Sequence, residues 1–193
     1  MEITVERLDG QSWKAADPAL VFNSGDAIRF RFKSSFNGYL YVTDYGTSGK
    51  YMLLFPRQET GKDNRVEAGK EYTIPATDTL FRVDGPAGYE SVYWLISPVP
   101  LGSDLTPPAA PHRPTRMTPR CDYQALQARG LCLDDQAGPR PVADSDKLPQ
   151  NLEKMRPSTA RELTIVRKDN QSVVSAPGNQ ASPLLYEFRL AHK

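Results

Sequence analysis

The stretch Gly25-Asp26-Ala27-Ile28-Arg29-Phe30-Arg31-Phe32-Lys33 decides the fold class. Ile28, Phe30 and Phe32 fall on one side of an extended chain, and Arg29, Arg31 and Lys33 on the other. This is the period-2 pattern of an antiparallel strand with one wet face. Working outward, Ile3 to Leu8 alternates in the same way and predicts an amphipathic first strand. Tyr39 to Tyr45 follows the Asn37-Gly38 turn and sets Leu40 and Val42 against Tyr39, Tyr41 and Tyr45. Gly46-Thr47-Ser48-Gly49-Lys50 is a glycine-bracketed hairpin tip that returns through Tyr51–Phe55 to Pro56. Tyr72–Ile74 and Leu80–Val83 are short strands. Ser91–Ser97 is a densely apolar strand, which its composition places centrally in a sheet.

Strands at this spacing predict an all-β fold, an antiparallel β-sandwich or partly open barrel of immunoglobulin-like size. The 193 residues allow one full core plus an appended segment. Seventeen prolines are unevenly spread, and seven of them lie between Pro98 and Pro119. The expected organisation is therefore a β domain over 1–100, a Pro-rich and mostly irregular insertion over 101–161, and a C-terminal β-hairpin over 162–193. The insertion carries a short helix at Asp122–Arg129, stopped by Gly130. The hairpin is formed by strands near 162–167 and 184–190, joined through a loop at 171–183. A lone hairpin is marginal in water, so these strands are expected to dock on the first domain.

Net charge is +1, and neither half carries the concentrated positive field of a nucleic-acid binder. No apolar run approaches the roughly 20 residues that a transmembrane helix needs. Met1 to Glu6 lacks the basic and apolar regions of an export signal. That fits either a cytoplasmic protein or a mature form whose signal has been replaced by Met1. Cys121 and Cys132 are the only cysteines. An even pair in a weakly structured region predicts a local disulfide in an oxidising compartment, the alternative being two reduced thiols.

The chemistry-bearing residues form no catalytic constellation. The two histidines, His112 and His192, stand beside no nucleophile signature, and no zinc spacing is present. Gly46 to Lys50 lacks a phosphate-loop frame. Asp134, Asp135, Asp144 and Asp146 lack a calcium-loop frame. The expectation is a non-enzymatic protein without cofactor or metal. The candidate binding residues are Arg29, Arg31, Tyr39, Tyr41 and Tyr45, read as one Tyr/Arg face on two hairpin-neighbour strands. Tyr and Arg are enriched where partners bind. The competing reading is that the insertion or the C-terminal strands cover this face.

The order of Val21-Phe22, Ser24-Gly25-Asp26, Gly38-Tyr39-Leu40-Tyr41-Val42, Leu53-Leu54-Phe55-Pro56, Asn64-Arg65-Val66, Ile74-Pro75, Phe81 and Gly88-Tyr89-Glu90 resembles a bacterial family. It is the domain-of-unknown-function family numbered 4384, and the resemblance covers about residues 20–98. It implies an accessory domain of envelope proteins, or one fused to kinase-like, caspase-like or repeat modules, with no catalytic residues to carry over. The functional expectation is an accessory domain of a bacterial cell-envelope protein, periplasmic or envelope-located, engaging a protein or peptide partner. The alternatives are a carbohydrate or peptidoglycan binder using Trp13 and Tyr45 as stacking platforms, or an immunity-type inhibitor of a secreted effector.

Overall fold

The computed structural model describes residues 1–102, 117–143, 145–156, 163–176 and 183–193. His112 and Asp144 lie outside them. Two sheets face each other across one apolar core, and two short helices lie outside it.

The first sheet runs β12 (Thr164–Lys168), β13 (Gln171–Ser175), β1 (Glu2–Asp9), β4 (Ala27–Lys33) and β8 (Glu71–Ile74). β2 (Ser12–Ala15) pairs with β1, and β9 (Phe81–Arg82) pairs with β4. The second sheet runs β11 (Gly138–Pro141), β14 (Leu184–His192), β10 (Gly88–Ser97), β5 (Gly38–Tyr45) and β6 (Tyr51–Phe55). β3 (Val21–Phe22) pairs with β14 in parallel, and β7 (Arg65–Val66) pairs with β5.

The alternation read from sequence fixes which side chains meet between the sheets. Ile3, Val5, Ile28, Phe30, Phe32 and Ile74 point inward from the first. Leu40, Val42, Val92, Trp94, Ile96, Tyr186, Phe188 and Leu190 point inward from the second. The rings interlock edge to face: Phe30 lies 5.3 Å from Trp94 and 5.9 Å from Phe188, both nearly perpendicular. Such pairs add about 0.5–1.5 kcal/mol beyond the area they bury.

The second sheet is buried on both faces. Its outer face carries Tyr41, Tyr45, Tyr93, Leu95 and Leu185, which pack under Val142 and Leu152 of the insertion. This is why β10 reads as densely apolar and not as alternating. The short helix α2 (Gln150–Glu153) brings Leu152 to the centre of this layer with no exposed surface. α1 (Tyr123–Arg129) lies where the sequence predicts a short helix, with Asp122 as its cap and not its first residue. Asp122 Oδ1 accepts from the amides of Gln124 and Ala125, and Gly130 ends the helix at φ 66°. Cys121 and Cys132 are joined in a disulfide that closes the loop holding α1.

Two expectations are corrected. Strands 164–168 and 184–192 do not form a hairpin. β12 turns through Asp169 and Asn170 into β13, a strand lying where a loop was expected, and β14 crosses into the opposite sheet. Asp169 takes the turn at φ 51°, a conformation that Asp tolerates better than most residues. Second, β4 and β5 are not hairpin neighbours. Both edges of β4 are already occupied, by β1 on one side and by β8 and β9 on the other. β5 can therefore pair only in the other sheet, across the core.

Phe30→Ala removes a ring with almost no exposure from the centre of this contact and is expected to destabilise by about 3–5 kcal/mol. Urea denaturation checks this. A loss below about 1 kcal/mol would mean that the inter-sheet aromatic cluster does not carry the fold.

Candidate functional site

The five residues expected to share one face are distributed over two opposite faces of the sandwich. Arg29 and Arg31 lie on the outer face of the first sheet, around a single buried acid. Glu6 Oε2 accepts from Arg29 Nε at 2.6 Å, and Arg31 Nε lies 3.3 Å from Glu6 Oε1. The Arg29 guanidinium also sits over the Trp13 ring, 4.5 Å from its centroid. The three tyrosines lie on the outer face of the second sheet. Tyr41 and Tyr45 are buried there, and Tyr39 is half-buried. The Tyr41 hydroxyl accepts from Leu101 N at 2.8 Å and donates to Leu101 O at 3.1 Å. The insertion is pinned over this face by Arg140, which reaches Glu187 at 3.0 Å and also pairs with Asp146. The continuous Tyr/Arg patch does not form, because β4 and β5 belong to different sheets.

A different set of residues converges where the sandwich opens sideways. β6 ends the second sheet and β9 lies at the margin of the first, and between them is a cavity of about 400 Å³. Its walls are apolar, with Ile28, Phe30, Met52, Leu54, Phe81 and Val92. Arg57, Glu59, Thr60, Thr79, Arg82 and Asp84 also line it. Asp44 and Glu90 line it as well, and Leu190 places the end of β14 against it.

Three polar residues reach this end of the core by strand parity. Asp44 continues the inward series Leu40, Val42. Glu90 continues Val92, Trp94, Ile96. His192 continues Tyr186, Phe188, Leu190. The register sets Asp44 opposite Val92 and His192 opposite Gly88, so the three polar ends gather diagonally across adjacent strands. Glu90 is the hub. Its Oε1 accepts from Thr47 N at 3.2 Å and from Thr47 Oγ1 at 3.1 Å, and lies 3.0 Å from His192 Nε2. A carboxylate oxygen can only accept, so His192 Nε2 carries the hydrogen of that bond. Oε2 lies against Gly46, where any Cβ would collide with it, and Asp44 Oδ2 borders the same position. A side chain at position 46 would therefore require the Glu90 carboxylate to shift.

The two carboxyls are driven apart in acidity. Burial, and then the neighbouring Glu90 charge, hold Asp44 well above the usual carboxylate range. Burial pushes Glu90 in the same direction, but the hydrogen bonds from His192 and Thr47 outweigh it and leave Glu90 below its ordinary value. Of the two, Asp44 is therefore the carboxyl that holds its proton to higher pH and Glu90 the one that ionises first. Asp44 Oδ1 has almost no exposed surface and no hydrogen-bond partner among the described residues.

A second buried acid, Asp134, is fully engaged. It accepts from Tyr89 Oη at 2.7 Å, from Gln136 N at 2.8 Å and from Arg120 N. It fastens the disulfide loop to β10 and leaves no open valence. No cluster of three or more metal-ligating side chains occurs among the described residues.

The fold and this lateral cleft define an antiparallel β-sandwich module with a polar-floored groove between two sheet margins. Residues 21–100 match a family model described as a domain of unknown function (DUF4384), the family whose motif order the sequence resembles. The match runs from β3 to β10 and contains Asp44, Glu90 and most of the groove, while β1 and β14, with His192, lie outside it. No curated protein and no solved structure matches the chain.

Sequence reading alone passes over Asp44, sets His192 aside for want of a nucleophile beside it, and takes Glu90 only as part of the Gly88-Tyr89-Glu90 motif. The available signal was an acidic or basic residue on the inward parity of an otherwise apolar strand face.

Asp44→Asn tests the protonation pattern. Above the ordinary carboxylate pKa, the folded state keeps a proton on Asp44 that the unfolded chain releases, so this residue makes stability fall as pH rises toward its raised folded value. An amide keeps a donor towards Glu90 and has nothing to titrate. The variant should exceed the parent in Tm at pH 8, with the gap narrowing toward pH 4; at this size about 2–4 °C corresponds to each kcal/mol. A gap that does not depend on pH would contradict the assignment.

Proposed function

We propose that the chain is a non-catalytic binding module of a bacterial cell-envelope protein, and that it takes an extended protein or peptide segment along the groove between β6 and β9. One observation carries this reading: an apolar cleft lies directly beside β6, the last strand of its sheet. A strand at a sheet margin offers unpaired backbone donors and acceptors, and an added strand gains affinity from them. Pockets for alternate side chains then supply specificity. Met52 is 41% exposed and lines the cleft, so an incoming segment has apolar area to cover.

The non-catalytic part of the reading rests on how the polar groups are engaged. Thr60 and Thr79, the hydroxyls lining the cleft, donate to the carbonyls of Leu54 and Glu59. Among the described residues neither is hydrogen-bonded to a carboxylate or imidazole side chain that could activate it. The envelope location is favoured by the Cys121–Cys132 disulfide, which forms and persists in oxidising compartments. No helix among the described residues is long and apolar enough to cross a membrane. The carbohydrate reading is weaker, since the Arg29 guanidinium covers Trp13 and Tyr45 is buried under the insertion.

The test is selection of binding peptides from a display library, with affinities read by fluorescence anisotropy. Met52→Glu should weaken the selected peptides at least about ten-fold, since it places a charge in the apolar contact. Arg29→Ala, on the far face, should leave them unchanged. Equal losses for both variants, or peptides indifferent to Met52, would refute a groove-bound partner.

A further inference from the structure

The cleft has a feature that an apolar peptide groove does not need: a carboxyl pair on its wall, between the sheets. We propose that this pair is the recognition site for a cationic side chain, lysine or arginine, carried by the extended segment that lies in the groove. The inference rests on the groove reading above and adds the chemistry of the ligand.

Three observations support it. The first is the open valence. Glu90 Oε1 is saturated by Thr47 and His192, whereas Asp44, which also lines the cavity, has an Oδ1 with almost no exposed surface and no partner among the described residues. A buried acceptor left so is costly, and an N–H donor from a ligand would satisfy it. The second is shape. Phe30, Phe81, Met52 and Leu54 form the apolar walls, and these suit the methylene stem of a long basic side chain whose charged end reaches the acids. The third is charge. Arg57 is paired with Glu59 at 3.2 Å, and Arg82 donates to Gly25 O at 2.9 Å. The two cations lining the cleft are thus engaged elsewhere, and the carboxyl pair has no cation of its own among them.

Ligand binding and protonation are coupled. A cation seated against Asp44 favours its ionised form, so Asp44 must release the proton that burial and Glu90 hold on it. Each binding event then releases protons, and affinity rises with pH. The charged and titratable groups around Asp44 are its partner Glu90 from β10, His192 from β14, which bonds Glu90, Arg82 of β9 and Asp84 beyond it, and Arg57 and Glu59 after β6. Asp44 combines the raised pKa with the open oxygen.

The experiment is a titration of the full, isotope-labelled chain followed by amide chemical shifts. The probes are N-acetyl-lysine methylamide, N-acetyl-arginine methylamide and the uncharged N-acetyl-norleucine methylamide. A cationic probe is expected to shift Gly46, Thr47 and Glu90 together with Met52 and Leu54, and to bind at least about five-fold more tightly than norleucine, the scale of one charge-assisted hydrogen bond. Binding should tighten as pH rises above the ordinary carboxylate range toward the raised value of Asp44, and the preference for a cation should be lost in Asp44→Asn and in Glu90→Gln. Equal binding of all three probes on the walls overturns the cation site and leaves the groove reading standing. If no probe moves any groove amide at tens of millimolar, the groove reading fails, and the cation site with it.

Discussion

The structure depends on the burial of β10 and β14 on both faces. These strands pair over nine residues, from Gly88 opposite His192 to Ile96 opposite Leu184. Their inward side chains meet the first sheet, and their outward ones meet the insertion. A strand covered on one side only can alternate with polar residues, but one covered twice cannot. Leu95 and Leu185 on the outer face would lie in water unless the segment from Gly138 to Met155 returned to cover them. The insertion is therefore a second layer that the sheet requires. Arg140, Arg189 and Ser91 converge on the buried Glu187 and so pair its charge at the contact between the layers.

This constraint explains why the tyrosines are unavailable. Tyr41, Tyr45 and Tyr93 each bring a large apolar body with a polar end, suited to a layer that must be apolar at its centre and polar at its margin. A phenol that anchors a backbone turn, as Tyr41 anchors Leu101, cannot also be a free contact surface. The same residue types that mark binding hot spots serve here as internal packing. Only topology distinguishes the two uses.

Much of the fold is legible in the sequence because it follows from period alone. Ile28, Phe30 and Phe32 announce their strand and its inward face, and the dense run Ser91–Ser97 announces a central position. What the sequence conceals depends on pairing at a distance. β11 contains Pro139 and Pro141, which argue against a strand until its place at the margin of the sheet is known. β13 contains Gln171, Ser172 and Ser175 and has a polar look, yet Ser172 and Val174 are buried between β1 and β12. The candidate site was half visible. Asp44, Glu90 and His192 each extend an apolar inward series, but that they meet at one end depends on registers that bring residues 44, 90 and 192 together.

Those three residues are also the least explicable by stability. Paired carboxyls between sheets must be desolvated, and their repulsion is relieved only by keeping one protonated. Well-packed apolar residues of similar volume at such positions commonly leave a protein as stable or more so. The sandwich already holds an aromatic core at Phe30, Trp94 and Phe188, and Phe30 of that core lines the same cleft. Apolar residues at positions 44 and 90 would extend that core along the wall of the cleft. Instead Gly46 is kept free of a side chain so that Glu90 can approach, and Thr47 and His192 hold one of its oxygens in place. Three separate positions thus act to orient one carboxylate beside a second acid with an unsatisfied oxygen. An arrangement that forgoes apolar packing in order to fix a charge beside a cleft is what the proposed ligand of opposite charge would require.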